Sequence, residues 1–289
     1  MSISIFAKRA FLNTNPHSPF ESKEKSYKGN GHLQRVSSMI RGDQIATQIG
    51  AKFNPESGYE NDTCIYVKPY VSKTSDFVFE GKKAYLDIID GHELGHLALK
   101  HPEVGVIVCS QADYDIMKKS IPNELVLIPQ HHCNFELLKR NRTKLKRIGI
   151  IGEVPAFGFL PEGLEEELEK RGMELVKYSK FFSREDIVDF YMSIDLQIVW
   201  RPYKKILSNP LKIVNASSFG VPTIALDEPA FHELEGCYEP VSTLKDFLMS
   251  LDVFNLNPEI YLEMATRCLE KSKEYDIEAI GNLYRSLDK

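Results

Sequence analysis

An α/β protein of two doubly wound, Rossmann-like domains is what this sequence predicts, on three observations. The chain has 289 residues, which at roughly 100 to 200 residues per domain suggests two units. Short apolar runs of strand length recur with helical stretches between them, as parallel strands covered on both faces require. The series pauses after Pro129 in a polar, basic segment and restarts at Ile148. The expected domains are residues 1–140 and 141–289, with a ligand in the cleft between the carboxyl ends of the two sheets.

In chain order, the apolar runs of the first half are residues 3–6, 64–67, 85–89, 104–108 and 125–128, each about one strand long. The second series opens at residues 148–151. Residues 161–171 read as a helix with Pro161 at its start and Gly172 at its end, followed by a strand at 174–178. A helix at 184–192 carries acidic residues in its first turn. A strand at 195–200, a helix at 210–219 and a strand at 222–226 follow, and the chain ends in helices over 258–287. In that last stretch Ile260, Met264, Leu269, Ile277, Ile280 and Leu283 fall at helical spacing and predict packing onto the domains.

Composition excludes several classes. Thirty-six Lys and Arg against 41 Asp and Glu give a net charge of -5, which argues against nucleic acid as a partner. Five scattered cysteines without a Cys-x-x-Cys pair indicate neither a disulfide framework nor a thiolate metal site. No apolar stretch reaches the ~18 residues of a membrane span and the N-terminal apolar run is too short for a signal peptide, so a cytoplasmic location is expected.

The most specific stretch is Ser208-Asn-Pro-Leu-Lys-Ile-Val-Asn-Ala, continuing to Gly220-Val-Pro and an apolar strand. Pro210 suits a helix start, unpaired N–H groups there attract diphosphate, and Lys212 adds positive charge. This stretch resembles the donor-binding segment of GT-B glycosyltransferases, and residues 186–202 resemble the helix and strand that precede it. The resemblance covers roughly the second half. It implies two facing Rossmann-like domains, a nucleotide sugar held by Ser208, Asn209, Lys212 and Asn215, and Arg201 near phosphate or the transferred group. Gly152, ending the first strand of this half, would let backbone approach the nucleotide. In the resembled fold a terminal helix crosses back to the first domain. The sequence departs from the family where many members carry two glutamates with seven residues between them, because Leu207 and Asn215 stand there. An amide bonds ribose more weakly than a carboxylate does. Glu233 is the substitute carboxylate, against a helix-cap or surface role.

In the first half, Gly29-Asn-Gly31-His32 precedes a helix ending near Ile49 and looks like the Gly-rich entry to the first GT-B helix, with His32 as a candidate base. A rival signal is His92-Glu-Leu-Gly-His96, the zinc peptidase pattern. Against it, the strand at 85–89 stops just before the motif, Pro102 ends the helix, and His101 and Leu99 do not fit the longer metzincin pattern. In the glycosyltransferase reading Asp90 and His92 lie at a strand's carboxyl end and are candidates for the acceptor base. His131 and His132 could line the cleft but read as surface residues of a linker. The basic run at 139–147 is a candidate for peripheral contact with an anionic membrane, but reads first as a solvated linker.

The expected activity is metal-independent transfer of a sugar from a nucleotide-diphosphate sugar, the co-substrate, to a hydroxyl of a carbohydrate or other acceptor, with no further cofactor. A non-catalytic nucleotide-sugar binder is the second reading, since the chain is short for the family, and a zinc peptidase is the third.

Overall fold

Buried apolar runs become parallel strands in both halves of the computed structural model, which describes residues 2–7, 38–69, 77–142, 144–179, 184–202 and 206–289. Gly29, Gly31 and His32 lie outside the described residues. The first half runs β1 (Ile3–Ala7), a π-helical turn at Ser38–Asp43, α1 (Gln44–Ile49), β2 (Lys52–Phe53), β3 (Thr63–Val67) and β4 (Lys83–Ile89). A 3₁₀ turn at His92–Leu94 leads to α2 (Gly95–Lys100), β5 (Gly105–Val108), α3 (Gln111–Met117) and β6 (Leu125–Leu127). These strands form one parallel sheet in the order β2-β1-β3-β4-β5-β6. Every residue of β1, β3 and β5 is buried, as expected of strands covered on both faces.

The second half runs β7 (Arg147–Ile151), α4 (Val154–Phe157), α5 (Leu164–Lys170), β8 (Glu174–Tyr178), α6 (Arg184–Ser193), β9 (Leu196–Val199), α7 (Leu211–Ser218) and β10 (Thr223–Leu226). It continues through a 3₁₀ segment at Pro229–Leu234 to β11 (Tyr238–Val241), α8 (Leu244–Leu256), α9 (Pro258–Ser272), a 3₁₀ turn at Lys273–Tyr275 and α10 (Ile277–Ser286). Its parallel sheet has the order β11-β10-β9-β7-β8. Two details differ from the sequence expectation. Helix α5 begins after Gly163 rather than at Pro161, and β2 and β11, two- and four-residue edge strands, were not foreseen.

Helix α10 returns to the first sheet. Its Ile280 and Tyr284 share one buried cluster with Ile5, Ile45, Ile65 and Ile107. A Cβ built on Gly281 would lie 3.1 Å from Ile49 Cγ2, so the absent side chain is what lets α10 approach α1. The buried face of the C-terminal helices also differs from the expected stripe. Ile260 and Leu283 are exposed while Tyr261 and Tyr284 are buried. Each buried tyrosine satisfies its hydroxyl, Tyr261 on the Asp195 carbonyl at 2.6 Å and Tyr284 on Asp87 at 2.9 Å.

The described residues of the segment joining the sheets are pinned at several points. The His132 amide donates to the Tyr275 carbonyl at 3.0 Å and the Arg140 amide to that of Phe219 at 2.9 Å. Arg140 and Arg142 both reach the buried Asp195 carboxylate, and Arg147 pairs with Glu174. Three arginines of the basic run are therefore already matched with carboxylates, while Lys139, Lys144 and Lys146 are exposed, so the run is solvated on its lysines and anchored through Arg140. His131 and His132 are likewise buried, not surface residues. Among the described residues no helix is long and apolar enough to cross a membrane.

Candidate functional site

Two cavities open at the carboxyl ends of the second sheet, one on each side of the loop that leads into α7. The first, of about 230 Å³, is lined by Gly152 from the end of β7, Arg184, Ile187 and Tyr191 from α6, Leu211, Lys212 and Asn215 from α7, and Ile40, Gln44, His131 and Cys133 from the first half and the connecting segment. The second, of about 590 Å³, has Asp113 and Ile116 of α3 on one side and Arg201, Ser208, Asp227 and Glu228 on the other.

At the first cavity, sequence chemistry explains the geometry. Pro210 breaks the preceding loop, the Asn209 side chain accepts from the Leu211 amide at 3.2 Å, and α7 begins with its amides at the cavity. A Cβ on Gly152 would sit 3.4 Å from Lys212 Nζ, so glycine leaves the space beside that ammonium open. The Tyr191 hydroxyl donates to Gln197 Oε1 at 2.9 Å, and its ring stacks on Phe219, which fixes the apolar floor. Arg184 is held by the Cys133 carbonyl at 2.8 Å and by an ion pair with Glu136. Burial raises the Cys133 thiol to about 12, so it is not a nucleophile at neutral pH. Asn215 accepts a bond from the Cys133 amide at 2.9 Å. Burial pushes the His131 imidazole below its usual range and, with His131, takes His132 to about 4. No carboxylate lines this cavity among the described residues.

The second cavity is built differently. Arg201 is bound through Nε to Glu228 at 2.8 Å and donates to Ser208 Oγ at 2.7 Å, so its charge is matched inside the protein. The two domains meet beside it. Ser208 donates its amide to Asp113 Oδ1 at 2.9 Å, and Ser110 Oγ donates to the Ser208 carbonyl at 3.0 Å. Burial, with Glu233 and Asp90 adding repulsion, raises the Asp113 carboxyl to about 7.

A folded-state pKa above the unfolded value means that the native state binds more protons between about 4 and 7, so this group's stabilisation is lost as pH rises through that window. At most about 4 kcal/mol is involved, from ~3 pKa units. We expect the melting temperature of the wild type, relative to Asp113→Asn, to fall between pH 4 and pH 7 and to be flat above about pH 8. A constant difference across a thermal-melting pH series would contradict the assignment.

The candidates from sequence therefore separate. Gly152, Lys212 and Asn215 come together at the first cavity, Arg201 and Ser208 at the second, and Asn209 stands between them. Glu233 lines neither cavity: it accepts from the Gln111 amide at 2.9 Å, at the start of α3, and from the Tyr275 hydroxyl at 3.1 Å. Asp90 pairs with Lys68 at 2.6 Å at the end of β4, and His92 stands exposed beside Glu93. His92 occupies the 3₁₀ turn and His96 the helix after it, with His96 Nδ1 against the Glu93 carbonyl. Among the described residues no group of three His, Cys, Asp or Glu is placed to hold a metal ion, so the peptidase pattern has no third ligand there. Sequence reasoning missed Asp113, Glu228, Arg184 and Tyr191. For Asp113 the Ser110-x-x-Asp cap spacing was a usable signal.

No protein-family model matches the chain, and no curated protein matches it by sequence. Solved structures do match its fold. The Glycosylation Associate Protein (Gap123) complex from Streptococcus agalactiae aligns with a TM-score of 0.53 at 12% identity, over 80% of this chain and 55% of that one. TarM aligns at 0.52 and 14% identity, over 79% and 50%. Anabaena HepE, solved with UDP and glucose, aligns at 0.52 and 13% identity, over 71% of each chain. The chain thus spans about half the length of the first two, 55% and 50%. With two parallel sheets of six and five strands and these neighbours, the protein has the GT-B fold, two doubly wound α/β domains facing each other across a cleft.

Proposed function

We propose that this chain is a glycosyltransferase, hexosyltransferase-like, moving a sugar from a nucleotide-diphosphate sugar to a hydroxyl acceptor without a metal. The observation that carries the reading is the first cavity: the N-terminus of α7, Lys212 beside Gly152, and no described carboxylate among its walls. Such a site suits a nucleoside diphosphate, because helix amides and an ammonium stabilise negative charge. As the bond between the sugar and the diphosphate breaks, the charge developing on the leaving oxygen falls within that field, so the residues do the work of a counter-cation. A further structural neighbour, the pneumococcal O-GlcNAc transferase GtfA, has been solved with UDP and GlcNAc, and HepE has also been solved with UDP-glucose, which supports the same donor class here.

An inverting course needs a group to take the acceptor's proton. The sequence candidates for that role are Asp90, paired with Lys68 at the end of β4, and the exposed His92. Asn215 in place of a carboxylate implies a weaker grip on ribose.

Calorimetric titration with UDP and with GDP tests the reading. One of them should bind, and Lys212→Ala should weaken it at least ten-fold, roughly 1.4 kcal/mol. Failure of both nucleotides to bind, or equal affinity in the variant, would overturn the proposal. Binding of the matching sugar nucleotide without release of the sugar to water or to any acceptor would favour the non-catalytic binder.

A further inference from the structure

The second-domain core holds two cysteines against each other. Cys237 lies in the turn between the Pro229–Leu234 segment and β11, Cys268 lies on α9, and 31 positions separate them in the sequence. No Cys-x-x-Cys spacing announces the pair. Two consecutive side chains of α9 hold the turn: Arg267 Nε donates to the Gly236 carbonyl at 3.1 Å and the Cys268 thiol to the Cys237 carbonyl at 3.3 Å. The two thiols also lie within hydrogen-bond reach of one another. All five thiols of the chain are free.

We propose that Cys237 and Cys268 form a reversible dithiol–disulfide site, at which hydrogen peroxide oxidises Cys237 and Cys268 then closes an intramolecular bond between the turn and α9. The Cys237 thiolate attacks one peroxide oxygen, the O–O bond breaks, and the departing hydroxide takes a proton to leave as water. The Cys268 sulfur then attacks the sulfenic acid so formed. The S–S bond forms, the S–O bond breaks, and the Cys268 proton leaves with the hydroxyl as a second water. The two thiols together lose two electrons and two protons, and one peroxide becomes two waters.

The surroundings set the two roles. The hydrogen bond with Cys268, together with the Lys271 and Arg267 charges, holds the Cys237 thiol below its ordinary range against burial and Glu274. The same bond and burial keep Cys268 protonated well above that range. Elsewhere burial raises the thiols of Cys64 and Cys133 to about 12, and that of Cys109 as well, which leaves them poor nucleophiles. Cys237 is 2% exposed, but it follows the exposed Glu235 and the half-buried Gly236, whose φ of 82° marks a tight turn. A local opening of that turn brings its sulfur to a small oxidant. The bond would sit beside the domain joint, because Glu233, just before the turn, accepts from Gln111 of the first domain and from Tyr275, just after α9. Oxidation thus ties together the two segments that hold this contact. None of this depends on the transferase reading.

Mass spectrometry of the full chain, treated with hydrogen peroxide, alkylated and digested without reductant, tests the site on the wild type. The expected product is a cross-link of Cys237 to Cys268 within one chain, with two of the five free thiols lost and both restored by dithiothreitol. The melting temperature of the oxidised protein should rise by roughly 5 °C, because the bond closes a long loop in the unfolded chain. In Cys268→Ser the bond cannot close, and dimedone should instead capture a sulfenic acid on Cys237. Survival of all five thiols in the native protein, or a cross-link that appears only in urea, would overturn the proposal. So would bonds that map to other cysteines or between chains, or dimedone capture on a cysteine other than Cys237.

Discussion

Asp87→Ala is expected to lower stability by about 3 to 5 kcal/mol, the scale for removing one partner of a buried ion pair. Asp87 lies at the heart of the first domain, 0% exposed, with its Oδ2 accepting from Arg41 Nε at 2.6 Å and from the Tyr284 hydroxyl at 2.9 Å. Arg41 is 1% exposed and also donates to the carbonyls of Ile128 and Pro129, at 2.9 and 3.0 Å. Burial works against its charge, but Asp87 outweighs that and keeps the guanidinium more firmly protonated than usual. The alanine variant therefore strands a cation among apolar side chains. The same carboxylate is where α10 is tied to β4, so loss of α10 docking should accompany the loss of stability. Urea unfolding followed by circular dichroism measures it. The double variant Asp87→Ala/Arg41→Met, which removes both charges, should recover a large part of the loss, and a single variant within about 1 kcal/mol of wild type would contradict the account.

Asp195→Ala should be comparably costly, about 3 to 5 kcal/mol, but in the second domain. The Asp195 side chain is fully buried and accepts from Arg140 Nη2 and from the backbone amides of Lys146 and Arg147, each at 2.9 Å. Its removal leaves two amides and the guanidinium groups of Arg140 and Arg142 without this acceptor, where each buried unsatisfied group costs ~1 to 3 kcal/mol. Trp200, the only tryptophan, packs on the second-domain core and reports this loss by fluorescence. Asp195→Asn keeps an acceptor and should lose less. An unchanged Trp200 unfolding midpoint in Asp195→Ala would rule out this role. Because Arg140 belongs to the connecting segment, a destabilised Asp195 variant should also become easier to cleave there in limited proteolysis.

Most strands were legible in advance, among them those at 174–178 and 222–226, because side-chain burial repeats along the chain with a period set by local geometry. The first cavity was partly legible for the same reason: Gly152 ends a strand, and Asn209, Lys212 and Asn215 lie within a single loop and helix. The short edge strands β2 and β11 were missed because a two- or four-residue run offers too few positions for a period to show. The C-terminal helices show how a hydropathy stripe misleads. Tyrosine scores as half polar, yet Tyr261 and Tyr284 go inside because a distant acceptor meets each hydroxyl.

The pairing of charges was beyond local reading. Nothing local in the sequence places Glu228 against Arg201, or Asp195 beneath Arg140 of the basic run. Asp113 meets Ser208 across 95 residues of chain, and Tyr284 meets Asp87 across 197. Element type and order, the two-domain architecture and the helix start at Pro210 follow from propensity, periodicity and turn chemistry, all short-range along the backbone. Which carboxylate is neutralised, and by which distant segment, follows from desolvation and from the approach of segments far apart in the chain, and those exist only once the domains have packed.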